Sequence, residues 1–402
     1  MSLSKRFNII LYTNSEGLDT SNIANVHRLP MIRALSRQLN GIGNVLVVLR
    51  YISPMQQPSK VMRRLRCTQL HQPFPNMFTW VPWVPWNISI ARRSPFLLSV
   101  FRHCLRRSLR RAMRIIGFDN EGDRVAWLTH PYHMFYRGIV GEKFTTYECY
   151  DDFTLFNSGK INGRLKTIER SLVCASDLIL ATSQKLFQRH KEDNANTHYF
   201  PNAVEFELFD KANDPATQVA EQLLPIPKPI IGFMGNLSDW YDFSLLLKLI
   251  IIRPQWSFVF VGEVASNVRE VVKMKQYQNV FLLGWQEYET LPNILKGINV
   301  AIMPYKMNRF MQSVNPNKMY QFMAAGVPIV STPIPEVLRF SDVISIARDA
   351  TDFARQIESC LDQQNSSRRE RMISLASKES WDERVKMVLN LIKEGLEIRK
   401  VL

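Results

Sequence analysis

Asn315-Pro316-Asn317-Lys318-Met319-Tyr320-Gln321-Phe322-Met323-Ala324-Ala325-Gly326-Val327-Pro328-Ile329-Val330-Ser331 reads as a loop, a short helix, a glycine stop and a buried strand. Just upstream, Met303-Pro304-Tyr305 ends another strand. A helix that opens at Asn317-Lys318 presents free backbone amides and an ammonium to an anion. Gln321, one turn later, is placed to hydrogen-bond ribose hydroxyls. A routine helix with a surface lysine fits the same letters.

Outward from this stretch the second half of the chain repeats an α/β rhythm. Strands are expected at Ile230-Ile231-Gly232-Phe233-Met234, Phe258-Val259-Phe260-Val261, Val280-Phe281-Leu282-Leu283 and Val300-Ala301-Ile302-Met303. Gly235-Asn236 follows the first of them, where a glycine lets backbone amides approach a phosphate; a plain tight turn is the competing reading. Trp285 follows Gly284 at a strand end, either as part of a base pocket or as a cap on the sheet.

The first half has the same rhythm. Asn8 to Tyr12 is a strand candidate, a helical pattern runs from about Asn25 to Leu39, and Val45 to Leu49 is the next strand. Others are expected at Val125–Leu128, Phe144–Tyr150, Leu178–Ala181 and Thr197–Phe200. Asp214-Pro215 and Pro225-Ile226-Pro227-Lys228-Pro229 mark a linker. The expected layout is therefore a domain over 1–205, a linker over 206–228, a second domain over 229–377 and a terminal helix within 378–402.

The 402 residues leave room for two or three domains, and 46% hydrophobic with 22% charged residues excludes disordered, collagen-like and polytopic membrane classes. Charge is the unusual property. Lys and Arg number 51 against 36 Asp and Glu, a net charge of +15. From Thr20 to Phe118 there is no carboxylate at all, so essentially the whole excess lies there. A nucleic acid, an anionic membrane or an acidic substrate would each suit such a field.

Two features narrow that choice. Trp80-Val81-Pro82-Trp83-Val84-Pro85-Trp86 spaces three indoles by three among prolines, which predicts an extended, polyproline-like segment. Leu97, Phe101, Leu105, Leu109, Ala112 and Ile116 then recur at helical spacing, with Arg106, Arg107, Arg110 and Arg111 among the residues between them. A basic amphipathic helix beside a Trp-rich segment suits anionic lipid headgroups, and no nucleic-acid-binding motif accompanies it. No apolar run approaches a membrane span, so membrane contact is expected to be peripheral. Cys67, Cys104, Cys149, Cys174 and Cys360 have no CxxC spacing and read as reduced thiols of a cytoplasmic protein; the short apolar run after Arg6 reads as a strand, not a signal peptide.

Dinucleotide-binding, P-loop, zinc-protease and nucleophile-elbow motifs are absent. What remains is Tyr150-Asp151-Asp152, a pair of carboxylates at the C-terminal end of an expected parallel strand, where ligands bind in open α/β sheets. A helix cap or a solvent-facing pair is the plainer alternative.

Pro316 to Thr332, together with Ser183 to Phe209 and its Pro201-Asn202-Ala203-Val204-Glu205, resembles the GT-B glycosyltransferases that use nucleotide sugars. The resemblance implies two Rossmann-like domains facing a central cleft, with a C-terminal helix returning to the first. The second domain would hold a nucleotide diphosphate through Gly235, Asn236, Trp285, Tyr305, Asn317, Lys318 and Gln321. The commonest pattern of that family has two glutamates eight apart; Ser313 and Gln321 stand there instead. Lys318 with Gln321, Pro304-Tyr305 and Ala24-Asn25-Val26-His27 are closer to a subgroup resembling the xanthan glucuronosyltransferase, and teichuronic-acid type transferases share the aspartate tract.

The resemblance implies an acidic catalytic residue at Asp151, the one base an inverting transfer needs, with Asp152 as the substitute; His27 would orient the acceptor or support the base, and a plain helix-face histidine is the competing reading. No cofactor or metal is implied, because Lys318 and helix N-termini can neutralise the leaving diphosphate. The partners expected are a UDP sugar, UDP-glucuronate first, a lipid-linked saccharide, and an anionic membrane on the cytoplasmic side met by Trp80, Trp83, Trp86 and the arginines. Nucleic acid is not expected. A nucleotide-sugar epimerase and a non-catalytic GT-B scaffold are the rival readings.

Overall fold

A computed structural model describes residues 7–13, 28–51, 53, 70–118, 122–155, 161–265, 270–362 and 366–401. The chain divides into two units. The first comprises Met1–Phe200 with Arg384–Leu402, and the second Pro201–Glu383.

The first unit is built on an eight-stranded sheet. Its strands are β1 (Phe7–Tyr12), β2 (Val45–Val48), β3 (His71–Phe74), β4 (Met77–Trp80), β5 (Asp123–Leu128), β6 (Phe144–Cys149), β7 (Leu178–Ala181) and β8 (Thr197–Tyr199), in the order β3-β4-β2-β1-β5-β6-β7-β8. Every pairing is parallel except the β3–β4 edge hairpin. β1, β2 and β7 are apolar and buried along their whole length apart from Asn8, as strands covered on both faces must be. Because β1 runs beside β2 on one side and β5 on the other, the chain's winding reverses between β1 and β5. A crevice opens at the C-terminal ends of strands where that happens.

Helix α1 (Leu29–Leu39) buries Met31, Ile32, Leu35 and Leu39; its cap, Arg28, stands at φ +72°. Helix α2 (Pro95–Ile115) turns Phe101, Leu105, Leu109, Ala112 and Met113 inward and leaves Arg107, Arg110 and Arg111 exposed. Its stripe follows the expected spacing. Trp80 does not follow expectation. It ends β4 in parallel register with Val48, is 1% exposed, and its indole N–H donates to Ser108 Oγ at 3.0 Å. The prolines begin only at Pro82, beyond the strand, so they do not prevent Trp80 from joining the sheet; it is a core residue and cannot meet a membrane.

The second unit has a six-stranded parallel sheet of β9 (Ile230–Met234), β10 (Ser257–Val261), β11 (Val280–Gly284), β12 (Val300–Met303), β13 (Ile329–Ser331) and β14 (Ser345–Ile346), ordered β11-β10-β9-β12-β13-β14. Here the winding reverses between β9 and β12. Residues 206–228 are folded rather than a linker: Phe209, Ala212, Leu223 and Ile226 are buried in the core of this unit, since their apolar side chains have a sheet to cover. A last helix over Trp381–Val401 joins the first unit from Arg384 onward, where Arg399 donates to the Lys143 carbonyl at 2.6 Å and pairs with Asp177. No helix among the described residues is long and apolar enough to cross a membrane.

Candidate active site

In the second unit Gly235, Tyr305 and Lys318, three of the expected donor residues, lie at the β9/β12 reversal. Gly235 follows β9 at φ +142°, a conformation side chains rarely adopt. A Cβ there would stand 3.1 Å from the Tyr241 hydroxyl and 3.8 Å from Lys318 Cε. Lys318 comes from helix α3 (Asn317–Ala324), so the glycine turn and the lysine are neighbours. The Lys318 ammonium has no carboxylate partner among the described residues, and desolvation lowers its pKa to about 8. Tyr305, after β12, stacks on Tyr241 with centroids 4.9 Å apart; it is buried, and burial raises its pKa well above that of a free phenol. It therefore supports the turn rather than facing solvent.

Gln321 is 5% exposed, and its Oε1 has no hydrogen-bond partner among the described residues. A buried carbonyl left in this state costs free energy until a donor reaches it. Asn317 and Asn236 are exposed, Asn236 accepting weakly from the Glu263 amide at 3.4 Å. Trp285 is 55% exposed just past the end of edge strand β11, so it does not cap the sheet. Glu336, unsuspected from the sequence, is 1% exposed and accepts from Asn315 Nδ2 at 3.1 Å, fixing the loop that leads into α3. Its signal was a glutamate in the first turn after a strand end.

In the first unit the two aspartates after β6 turn out to be unequal. Asp152 is 2% exposed and fully engaged: Arg189 donates to Oδ2 at 2.8 Å and Thr154 Oγ1 to Oδ1 at 2.6 Å. Asp151 is half-buried with no such clamp, and its pKa is pushed up to about 7 by burial, against the opposing pull of Arg28 and with a further push from Asp152. The two adjacent carboxylates therefore differ in environment, Asp152 held by two donors and Asp151 raised toward neutrality by burial.

Arg28 belongs to this site although sequence reasoning passed over it. Its guanidinium forms a buried ion pair with Glu148 and lies 5.8 Å from the centroid of the Tyr150 ring. Trp127 Nε1 donates to the other Glu148 oxygen at 2.8 Å. Behind Asp152, the donor atoms of Cys149, Glu169 and His190 lie within 4.8 Å of one another. Glu169 already accepts from Tyr147 at 2.8 Å and pairs with Arg189 at 3.5 Å, so the cluster braces the end of β6 and the Arg189 charge opposes a cation there. His27 and Cys67 lie outside the described residues. Trp83 and Trp86 are half-buried; Arg106 is half-buried and reaches the Gly138 carbonyl at 3.4 Å, whereas Arg107, Arg110 and Arg111 project from α2.

Residues 228–363, which hold all the donor candidates, match the family model described as glycosyl transferases group 1. The chain is 28% identical over 235 residues to a Bacillus subtilis (strain 168) protein described as "Putative teichuronic acid biosynthesis glycosyltransferase TuaH". That match covers 54% of this chain and 57% of the relative, so the chain spans little more than half of the curated protein it matches. Among solved structures, sucrose-phosphate synthase from Thermosynechococcus elongatus superposes with a TM-score of 0.68 at 14% identity, covering 97% of this chain and 99% of that one. Anabaena Alr3699/HepE in complex with UDP and glucose gives 0.63 at 12% identity over 96% and 98%. At such identities the likeness establishes the fold, which is GT-B as the sequence led us to expect.

Proposed function

We propose that the protein transfers a sugar from a nucleotide diphosphate donor, held by the second unit, to an acceptor bound on the first, with Asp151 as the general base. The observation that carries this reading is the Lys318 ammonium, held without a counter-ion among the described residues beside the Gly235 turn at the reversal of the second sheet and within the matched glycosyl transferases group 1 region. A desolvated cation beside backbone amides is complementary to a leaving diphosphate. The bare Gln321 carbonyl suits a ribose hydroxyl. UDP is the first nucleotide to test, because a neighbour of the same fold was solved with it. The teichuronic acid relative supports a role in polysaccharide assembly and keeps UDP-glucuronate as the first sugar.

The test is UDP affinity, measured by thermal unfolding of the full chain. UDP is expected to stabilise it, and Lys318→Met to weaken UDP by roughly 10- to 150-fold, the worth of about 1.5–3 kcal/mol for a hydrogen bond to a charged group. In the free wild type the ammonium is lost as pH rises through about 8, so UDP affinity should fall above that pH, and Lys318→Met should lack this dependence. No stabilisation by any nucleotide overturns the reading.

The acceptor is proposed to be lipid-linked and met at an anionic membrane surface. Support comes from Arg107, Arg110 and Arg111, exposed on α2 between Phe96 at 72% and Ile115 at 60% exposure. At about 1 kcal/mol per basic residue near such a surface, R107Q/R110Q/R111Q should weaken binding to vesicles containing anionic phospholipid by roughly a hundredfold. Flotation with neutral vesicles is the control, and equal binding of the triple variant and the wild type removes this face from the account.

A further inference from the structure

We propose that the cavity at the C-terminal ends of β1, β2 and β5 receives an oxyanion carried by the acceptor, a phosphate or a carboxylate, and selects against neutral sugar rings. This rests on the reading that the first unit binds the acceptor, and it names the chemical group recognised there. The cavity has a volume of about 280 Å³ and lies at the winding reversal of the first sheet. Tyr12, Arg50, Tyr51, Asn87, His130 and His133 are among the residues that line it, and among the described residues no Asp or Glu does.

The hydrogen-bond pattern makes the lining a set of donors. His130 Nδ1 accepts from the Tyr132 backbone N–H at 3.1 Å, and His133 Nδ1 accepts from the Thr129 N–H at 3.2 Å. Each neutral ring therefore carries its hydrogen on Nε2, assigned from these bonds. Both rings are neutral at physiological pH, since burial lowers His130 to about 4 and His133 well below its ordinary value. Tyr51 accepts from the Ile88 N–H at 2.7 Å through its hydroxyl oxygen, which leaves its own hydrogen to give. The Tyr12 hydroxyl is buried with no partner among the described residues.

Charged acceptors are absent from the described lining, and its neutral ones are mainly hydroxyls, such as those of Thr13 and Ser89, which can also donate. The Asn87 carbonyl oxygen is committed to the Ile90 N–H at 2.9 Å. Arg50 brings positive charge, and its field adds to burial in holding His130 down. Sugar hydroxyls need acceptors as well as donors, whereas an oxyanion needs donors and charge only. The cavity also adjoins the proposed base. His130 packs on Phe153 with centroids 4.7 Å apart, and Phe153 packs on Tyr150 at 5.0 Å, the residue before Asp151. An anion anchored here would hold an acceptor hydroxyl within the same unit as Asp151.

The test uses the full chain with 15N-labelled histidine, the two ring signals being assigned through His130→Gln and His133→Gln. Inorganic phosphate, glucuronate and glucose are added at constant ionic strength. Saturable movement of both signals with phosphate or glucuronate, and none with glucose, is expected; phosphate acting alone points to a lipid phosphate, and glucuronate acting alone to a uronic acid residue. Tyr12→Phe should weaken the response at least tenfold while leaving unfolding unchanged. Glucose moving the signals as far as the anions do, or neither anion moving them, overturns the proposal. UDP stabilisation is measured on the same sample. If UDP fails while phosphate still moves the rings, the transferase reading falls and the oxyanion site stands; the reverse outcome removes the site alone.

Discussion

Asp151→Asn is expected to lower kcat by about 10²- to 10⁴-fold, the usual worth of a positioned general base, while UDP still stabilises the chain. Asparagine keeps the shape and removes the ability to take a proton. The wild-type rate should rise with pH through an apparent pKa near 7, because the base acts only when ionised and burial holds it protonated below that point. The same shift fixes the sign of the stability change. A carboxyl raised from 3.8 to about 7 binds more protons in the folded state than in the unfolded one across that window, so it costs stability as pH rises through it. Asp151→Asn should therefore unfold no lower than the wild type at pH 8. A merely structural aspartate would show the opposite: retained turnover and a lowered Tm.

Arg28→Met should have the largest effect on stability. Glu148 is 0% exposed at its side chain and Arg28 is 3% exposed, so the variant strands a carboxylate with Trp127 Nε1 as its remaining donor among the described residues. Removing one partner of a buried pair costs about 3–5 kcal/mol, which for a unit of this size lowers Tm by roughly 6–20 °C. The double variant R28M/E148Q should recover most of the loss, since the stranded charge is what costs. Arg28 also pulls the Asp151 pKa down. In any Arg28→Met protein that folds, the rate profile should move to higher pH. A profile that stays in place would separate Arg28 from the base.

The two sheets were legible because strands covered on both faces are written as short apolar runs, and those runs do not depend on partners far along the chain. β9 to β13 were read this way. Asp151 was legible as a carboxylate at a strand end; that Asp152 is held in an ion pair was not, because its partner is Arg189, 37 positions away. Arg28 and Glu148 are 120 positions apart, and nothing local marks either. Trp80 was misread for the opposite reason: its local neighbours are prolines, while its place is set by Val48 in β2. His130-Pro131-Tyr132-His133 carried a visible signal, two histidines just past a strand, that strand periodicity passes over.

The way the first unit is assembled bears on how the chain is made. Its sheet comes from the first 200 residues, yet Arg384–Leu402 belongs to it, and Gly395 is packed so tightly on the Phe144 ring that a Cβ there would stand 2.3 Å from Cε2. Pro201–Glu383 is continuous and can close as soon as it leaves the ribosome. Domains usually fold in the order they are synthesised. Here the earlier unit is not whole until Arg384–Leu402 has been made, so a chain cut short before Arg384 carries all of the second unit and only part of the first.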